Sequence, residues 1–306
     1  MDHLTIRLGT RGSQLALAQS NWVADQLRSI GHQVELIELK TEGDVRTGPL
    51  AQIGGQGLFT KRLQQALLDN EIDLAVHSLK DLPTEDHPDL SIAAVPERED
   101  PADALIGRTA NRLDDLPQAA RIGTGSVRRA AQLLHRRPDL QVLDVRGNVE
   151  TRIRKLETES LDAIVLACAG LNRLGLSDRI TQRFEEVEIL PAVGQGALGL
   201  ECRAADTASI DVIKTLNHRP SFHRAMAERS LLRTLFAGCL APVGSSTVCN
   251  EDGTLCLTGV VLSPDGRQRV EATRTGTLDS SQRLGIEVAE ALLELGAGPL
   301  LKQGTS

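Results

Sequence analysis

One strand, turn and helix unit occurs twice in this chain, and that repetition limits the folds open to it. Residues 4–8 alternate as a strand does and are followed by the turn Gly9-Thr10-Arg11-Gly12-Ser13. Leu15, Ala18, Trp22, Val23 and Leu27 then recur at helical spacing over 13–29. The order returns at 121–134, where RIGTGSVRRAAQLL again sets Gly-Thr and a Ser directly before a helical pattern. A second matched pair follows: EIDLAVHSLKDL at 71–82 and SLDAIVLACAGL at 160–171, each a helix end, an Asp and a buried strand. Strands alternating with helices imply a mostly parallel sheet covered on both faces, with ligands outside the carboxyl ends of the strands.

The two copies differ in length. From Gly9 to Asp73 is 64 residues, and from Gly123 to Asp162 is 39. The surplus includes EGDVRTGPLAQIGGQGLF at 42–59, glycine-rich and without periodicity, which reads as a lid over a site; a plain surface loop is its alternative. ILPAVGQGALGLECR at 189–203 reads as a hinge or crossover strand returning from the second half to the first, and a helical stretch at 208–217 ends that first domain. After Pro220 the pattern is a helix at 221–235, the loop AGCLAPVG, strands at 243–249, 254–262 and 267–274, and a closing helix at 279–295. The expected organisation is α/β: domain 1 at 1–99 and 197–217 with the lid loop 42–59, and domain 2 at 100–196, both doubly wound and facing a cleft. Domain 3 at 218–306 is a small α+β unit with an antiparallel sheet.

A length of 306 residues suits two or three domains. A net charge of −7 and 2% aromatic residues exclude a general nucleic-acid binder, which needs a basic face and stacking platforms. No stretch of about 18 residues is continuously apolar and the start lacks a signal-peptide pattern, so the expectation is a soluble cytoplasmic or plastid protein with no membrane partner. The five cysteines form no CxxC pair and no ligand-like spacing with histidine, and no metal or dinucleotide site is indicated. Cys168, Cys202, Cys249 and Cys256 read as small buried hydrophobes. Cys239, in the turn AGCLAP, is left accessible by small neighbours and becomes a nucleophile if cations lower its pKa.

The cations carry more information. Only six of the 34 Lys and Arg residues are lysines, and arginine grips carboxylates and phosphates with two parallel hydrogen bonds. Both repeated turns place N–H groups, hydroxyls and arginines at helix starts, which favour anions: Arg11 and Ser13 in the first, Thr124, Ser126, Arg128 and Arg129 in the second. A serine there is equally the favoured helix N-cap. Eight arginines fall between 121 and 154. Arg136 and Arg137 suit a solvated helix end, whereas Arg146 follows a strand and Arg152 sits in a first helical turn, so 128, 129, 146 and 152 are expected to face ligand. HSLKDLP places Lys80 and Asp81 just past a buried strand. Asp81 can hold a cationic intermediate or pass a proton to a leaving amine, and a strand-end salt bridge is the alternative.

Taken together, GTRGSQLALAQ, GGQGLFTK, AVHSLKDLP, IGTGSVRRAAQL, RGNVETRIRKL, LPAVGQGALGLECR and AGCLAPVG resemble the porphobilinogen deaminases, or hydroxymethylbilane synthases, in order and over nearly the whole chain. The resemblance implies a transferase of haem and chlorophyll synthesis that joins four porphobilinogen molecules into hydroxymethylbilane on a covalent dipyrromethane cofactor. It makes Cys239 the thioether attachment point. It makes Asp81 the central carboxylate, bonded to pyrrole nitrogens and assisting ammonia loss, azafulvene formation and deprotonation. Arg11, Ser13, Ser78, Lys80, Thr124, Ser126, Arg128, Arg129, Arg146 and Arg152 would bind acetate and propionate groups, with Gln195 in the hinge-side wall and Phe59 in the lid. Each pyrrole brings two carboxylates, which gives the arginine excess a reason. The family often carries lysines in the lid, where this chain has Gln52 and Gln56. The resemblance also implies a monomer and lobes like those of periplasmic binding proteins. Two other readings share the duplicated architecture: a two-lobed solute-binding protein and an ATP phosphoribosyltransferase-like enzyme. Neither requires Cys239.

Overall fold

The repeated unit folds as its pattern requires in both copies. In the computed structural model, which describes residues 5–39, 60–236 and 241–303, the chain runs β1 (Thr5–Thr10), α1 (Gln14–Ser29), β2 (Gln33–Glu38), α2 (Lys61–Leu68), β3 (Leu74–Ser78) and β4 (Leu90–Ala94). It continues through β5 (Asp103–Gly107), β6 (Arg121–Gly123), α3 (Val127–Arg136), β7 (Gln141–Leu143), α4 (Val149–Thr158), β8 (Ala163–Ala167), α5 (Cys168–Arg173) and β9 (Gln182–Arg183). Then follow β10 (Leu198–Arg203), α6 (Thr207–Lys214), α7 (Arg219–Thr234), β11 (Val243–Cys249), β12 (Thr254–Leu262), β13 (Arg269–Thr277), α8 (Ser281–Glu294) and α9 (Ala297–Gln303).

The chain divides into two units, Met1–Arg98 with Ala197–Phe222 and Glu99–Gly196 with His223–Ser306. The first holds a five-stranded sheet in the order β2-β1-β3-β10-β4, and the second holds its counterpart, β7-β6-β8-β5-β9. In each, the three strands of the repeat pair in parallel: β1 with β2 and β3, and β6 with β7 and β8. The remaining strands run antiparallel, β10 against β3 and β4, β5 against β8 and β9. The sheets are therefore less parallel than the alternating pattern predicts. Neither β5 nor β10 is joined to its parallel-pairing neighbours by a strand, helix, strand crossover, so the rule that makes such neighbours parallel does not govern them.

Both sheets are doubly wound because successive side chains of a strand point to opposite faces and both faces are covered. In β8, Ala163 and Val165 join a core with Leu105, Ile122, Leu133 and Phe184, while Ile164 and Leu166 join another with Val145, Leu156 and Leu171. The first sheet does the same, with Ile6, Leu8, Leu27 and Leu200 on one side and Leu63, Leu67 and Ile72 on the other. The repeat also copies a lock. Asp73 accepts from Arg7 N at 3.1 Å and Asp162 accepts from Arg121 N at 2.8 Å, each tying the strand start of one copy to the next strand of its own sheet.

The third sheet is β11-β12-β13, antiparallel throughout, with Leu255, Leu257 and Val261 packed against Leu231 of α7 and Val288 and Leu292 of α8. Val193 belongs to this core, and Ala131 and Leu190 pack with Val260 and Leu262. Residues expected to form domains 2 and 3 thus share packed side chains within one unit. No helix among the described residues is long and apolar enough to cross a membrane.

Candidate active site

In the first unit, the carboxyl ends of β1 and β3 lie side by side, since Gly9 is in register with Ala75. Ser13 is half-buried and caps α1, its Oγ accepting from Ala16 N at 3.3 Å. The helix-cap role of this serine is thus realised. Ser78, at the end of β3, is hydrogen-bonded to Gln19 of α1 at 2.9 Å, which fixes that strand end against the helix that follows the first turn. The next three residues, Leu79–Asp81, form a 3₁₀ turn. Leu79 is its buried anchor: its N donates to Ala197 O at 3.0 Å, and its Cδ1 fills the space where a side chain on Gly199 would begin. Lys80 is half-buried and Asp81 is exposed, so the carboxylate projects from a rigid strand end. Arg11 is half-buried on the neighbouring turn.

The second unit repeats this with more charge. Ser126 caps α3 by accepting from Arg129 N, and the Thr124 hydroxyl accepts from Ser126 N at 3.2 Å. Arg128 and Arg129 turn inward, 4% and 5% exposed, onto Asp103, which is fully buried on β5. Arg128 Nη1 donates to Asp103 at 2.6 Å and to Leu190 O at 2.6 Å, while Arg129 donates to Asp103 through Nε at 2.9 Å and Nη2 at 2.7 Å. Gln195, buried, closes the cluster by donating to Asp103 at 2.9 Å and to Pro101 O at 2.6 Å. Burial alone would raise the Asp103 pKa, but the two guanidiniums hold it well below the usual carboxylate range. Arg128 is lowered by its own burial, against the pull of Asp103. Two cations on one anion leave the cluster with a net positive charge.

Arg146 lies beyond β7, with Nε donating to Asp144 at 2.7 Å and its Cγ beside Gly125 of the repeated turn. Arg152, on α4, donates from Nε to Gly147 O at 2.8 Å. Arg128 Nε and Arg146 Nη1, both in the second unit, are among the guanidinium nitrogens that are buried with no hydrogen-bond partner among the described residues. An orphaned buried donor is costly and is the mark of a place where an acceptor belongs. These residues therefore fit a group rich in carboxylates such as dipyrromethane.

Phe59, the segment 42–59 expected as a lid with Gln52 and Gln56, and Cys239 lie outside the described residues. Cys168 and Cys202 are buried, and burial pushes their thiols up to about 12 and about 11, which keeps them inert. Sequence reasoning missed Asp103, the counter-ion of the arginine pair, although an Asp heading the apolar strand DALIG was a visible oddity. It also missed Gln19 and Arg173. Arg173 donates to Gly196 O at 2.7 Å, and burial lowers its pKa to about 10 against the pull of Glu99. No group of His, Cys, Asp and Glu side chains that could hold a metal occurs among the described residues.

Duplicated doubly wound sheets with arginine-lined strand ends define a class of α/β proteins suited to anionic small molecules. Comparison with known proteins narrows the class. Residues 6–211 match the family model "Porphobilinogen deaminase, dipyromethane cofactor binding domain", and 222–294 match "Porphobilinogen deaminase, C-terminal domain". Porphobilinogen deaminases of Desulforudis audaxviator, Geobacter metallireducens and Thermus thermophilus are 52%, 50% and 49% identical to this chain. The alignments cover 96%, 97% and 97% of it and 96%, 94% and 98% of the relatives. Among solved structures, the methionine-binding protein MetQ aligns over 74% of this chain and 94% of its own at 11% identity, with a TM-score of 0.46. The chain belongs to the porphobilinogen deaminase family, whose cofactor is the dipyrromethane. The solute-binding and ATP phosphoribosyltransferase-like readings are not favoured.

Proposed function

We propose that this chain is a transferase that deaminates and joins four porphobilinogen molecules head to tail into hydroxymethylbilane, releasing four ammonia and taking up one water. The observation that carries this reading is family likeness without interruption, about half the residues being identical over 97% of the chain in one relative. The arrangement of charge supports it. Growth of a tetrapyrrole brings in carboxylates unit by unit, and a cationic cradle that is rigid before binding holds them without reorganising.

The dipyrromethane, when bound, supplies the free pyrrole carbon onto which substrate units are added. Cys239 is its thioether anchor, and Ser78, Lys80, Thr124, Ser126, Arg128, Arg129 and Arg146 receive its carboxylates. Arg11, Ser13, Arg146 and Arg152 take those of substrate, with Gln195 and Phe59 as walls. Asp81 accepts hydrogen bonds from pyrrole N–H groups and stabilises the positive charge that develops as ammonia departs, a role suited to a carboxylate fixed by the buried Leu79 beneath it. Asp103 holds the two arginines charged and oriented while they are shut off from water. Three functional domains, 1–99 with 197–217, 100–196 and 218–306, divide this work, and the enzyme acts as a cytoplasmic monomer.

The test is the intact mass of the denatured protein beside a Cys239→Ala variant prepared alike. The expected result is an excess equal to two porphobilinogen units less two ammonia in the first and none in the second. A bare chain mass that persists after incubation with porphobilinogen would overturn the assignment.

A further inference from the structure

Glu38 ends β2 at the carboxyl edge of the first sheet, in register with Thr10 at the start of the Arg11-Gly12-Ser13 turn. Leu39 N donates to Thr10 O at 2.8 Å, so the strand end is pinned beside that turn. The Glu38 carboxylate leans over it: Oε1 occupies the position where a side chain on Gly12 would begin. The residue is exposed, and its carboxylate takes part in no hydrogen bond or ion pair among the described residues. The turn presents Arg11, backbone N–H groups and Ser13, which on the reading above receive a substrate carboxylate, and the negative charge of Glu38 stands against the same backbone. Adjacent strands of a sheet are about 5 Å apart, so an anion seated over the β1 turn and the Glu38 carboxylate are within one strand spacing.

We propose that Glu38 is a specificity-determining residue that weakens the hold of this turn on anionic substrate by direct charge repulsion. This inference rests on the proposed substrate role of Arg11 and Ser13. The effect suits a site that must pass on several pyrroles in succession, because a unit gripped with the full strength of Arg11 and the turn would be slow to give way to the next. Gly12 is what permits the arrangement, since any side chain there would displace the carboxylate from the turn.

The experiment is steady-state kinetics of the holoenzyme with porphobilinogen, wild type beside Glu38→Gln, at low and high ionic strength. A solvent-exposed repulsion between unit charges about 5 Å apart corresponds to about a threefold change, so KM in the variant is expected about threefold lower at low salt. The effect should lie in KM rather than kcat. The difference should vanish at about 1 M salt, where the screening length is about 3 Å. A change in shape or packing alone would not be erased by salt. An unchanged KM, a raised KM (as a contact with the substrate ammonium would produce), or a lowered KM that persists at high salt would each overturn the proposal. Absence of turnover in the wild type would instead refute the assigned reaction, and the two failures are thereby told apart.

Discussion

Two carboxylates illustrate how residue environment divides labour here. Asp81 is exposed on a rigid turn and free to meet a ligand, whereas Asp103 is buried under two guanidiniums and has no capacity left for chemistry. Replacing Asp81 by Asn keeps the shape and removes the charge; kcat should fall about 100-fold or more, about 3 kcal/mol of barrier, with the melting temperature little changed. Turnover close to wild type in that variant would remove Asp81 from the mechanism. Asp103→Asn should do the opposite. It strands Arg128 and Arg129 in the interior with no counter-charge, a loss of about 3–5 kcal/mol, which thermal unfolding would register as a drop of about 10 °C. The same variant should load less cofactor, measurable by intact mass.

At the level of elements, the positions of the side chains depend on a few close approaches. Gly285 on α8 is one: a side chain there would meet Ala227 O and Ser230 of α7, so the two helices pack at backbone distance. Gly285→Leu should force them apart and cost about 1–3 kcal/mol, seen in chemical denaturation as a lower midpoint with the slope retained. Because α7 leads directly to residues 237–240 and Cys239, the variant should also assemble holoenzyme more slowly. Much of this level was legible beforehand. The patterns at 243–249 and 254–262 coincide with β11 and β12, and those at 13–29 and 279–295 differ from α1 and α8 by two residues or fewer at each end. The direction of β5 and β10 was not legible, because hydrophobic periodicity is the same whichever way a strand runs in its sheet.

For the whole molecule, depressed carboxylates in both units set the response to acid. Burial would raise the Asp73 pKa, but hydrogen bonds from Arg7 and Arg203 bring it down to about 2, and Asp103 is held lower than an ordinary aspartate by Arg128 and Arg129. A folded-state pKa below the unfolded value means that the unfolded chain binds more protons. The stabilisation is therefore complete above about pH 4 and is lost as pH falls toward about 2. Thermal melts should show little contribution from these groups between pH 7 and 5 and a steep loss below about pH 4; Asp73→Asn should flatten that loss. A wild-type curve with no acid limb would contradict the assignment of these ion pairs.

Local pattern sufficed for the repeated turn and helix, the antiparallel third sheet, the burial of Cys168 and Cys202 (though not of Cys249 and Cys256, which are only half-buried) and the motif residues that relate the chain to its family. These depend on neighbours in the chain: a cap acts within three residues, a strand declares itself by alternation, and a motif is read directly. The partners of the arginines were decided only by tertiary structure. Asp103 precedes Arg128 by 25 residues and Gln195 follows it by 67, and all three meet because β5 enters the sheet next to β8 with the turn that carries Gln195 beside it. Arg128 and Arg129, expected to face ligand, also bind that buried carboxylate, and Nε of Arg128 is left without a partner among the described residues. The reason is physical: a buried guanidinium must find a counter-charge wherever the fold brings one, and sequence spacing carries no record of which strand will be adjacent.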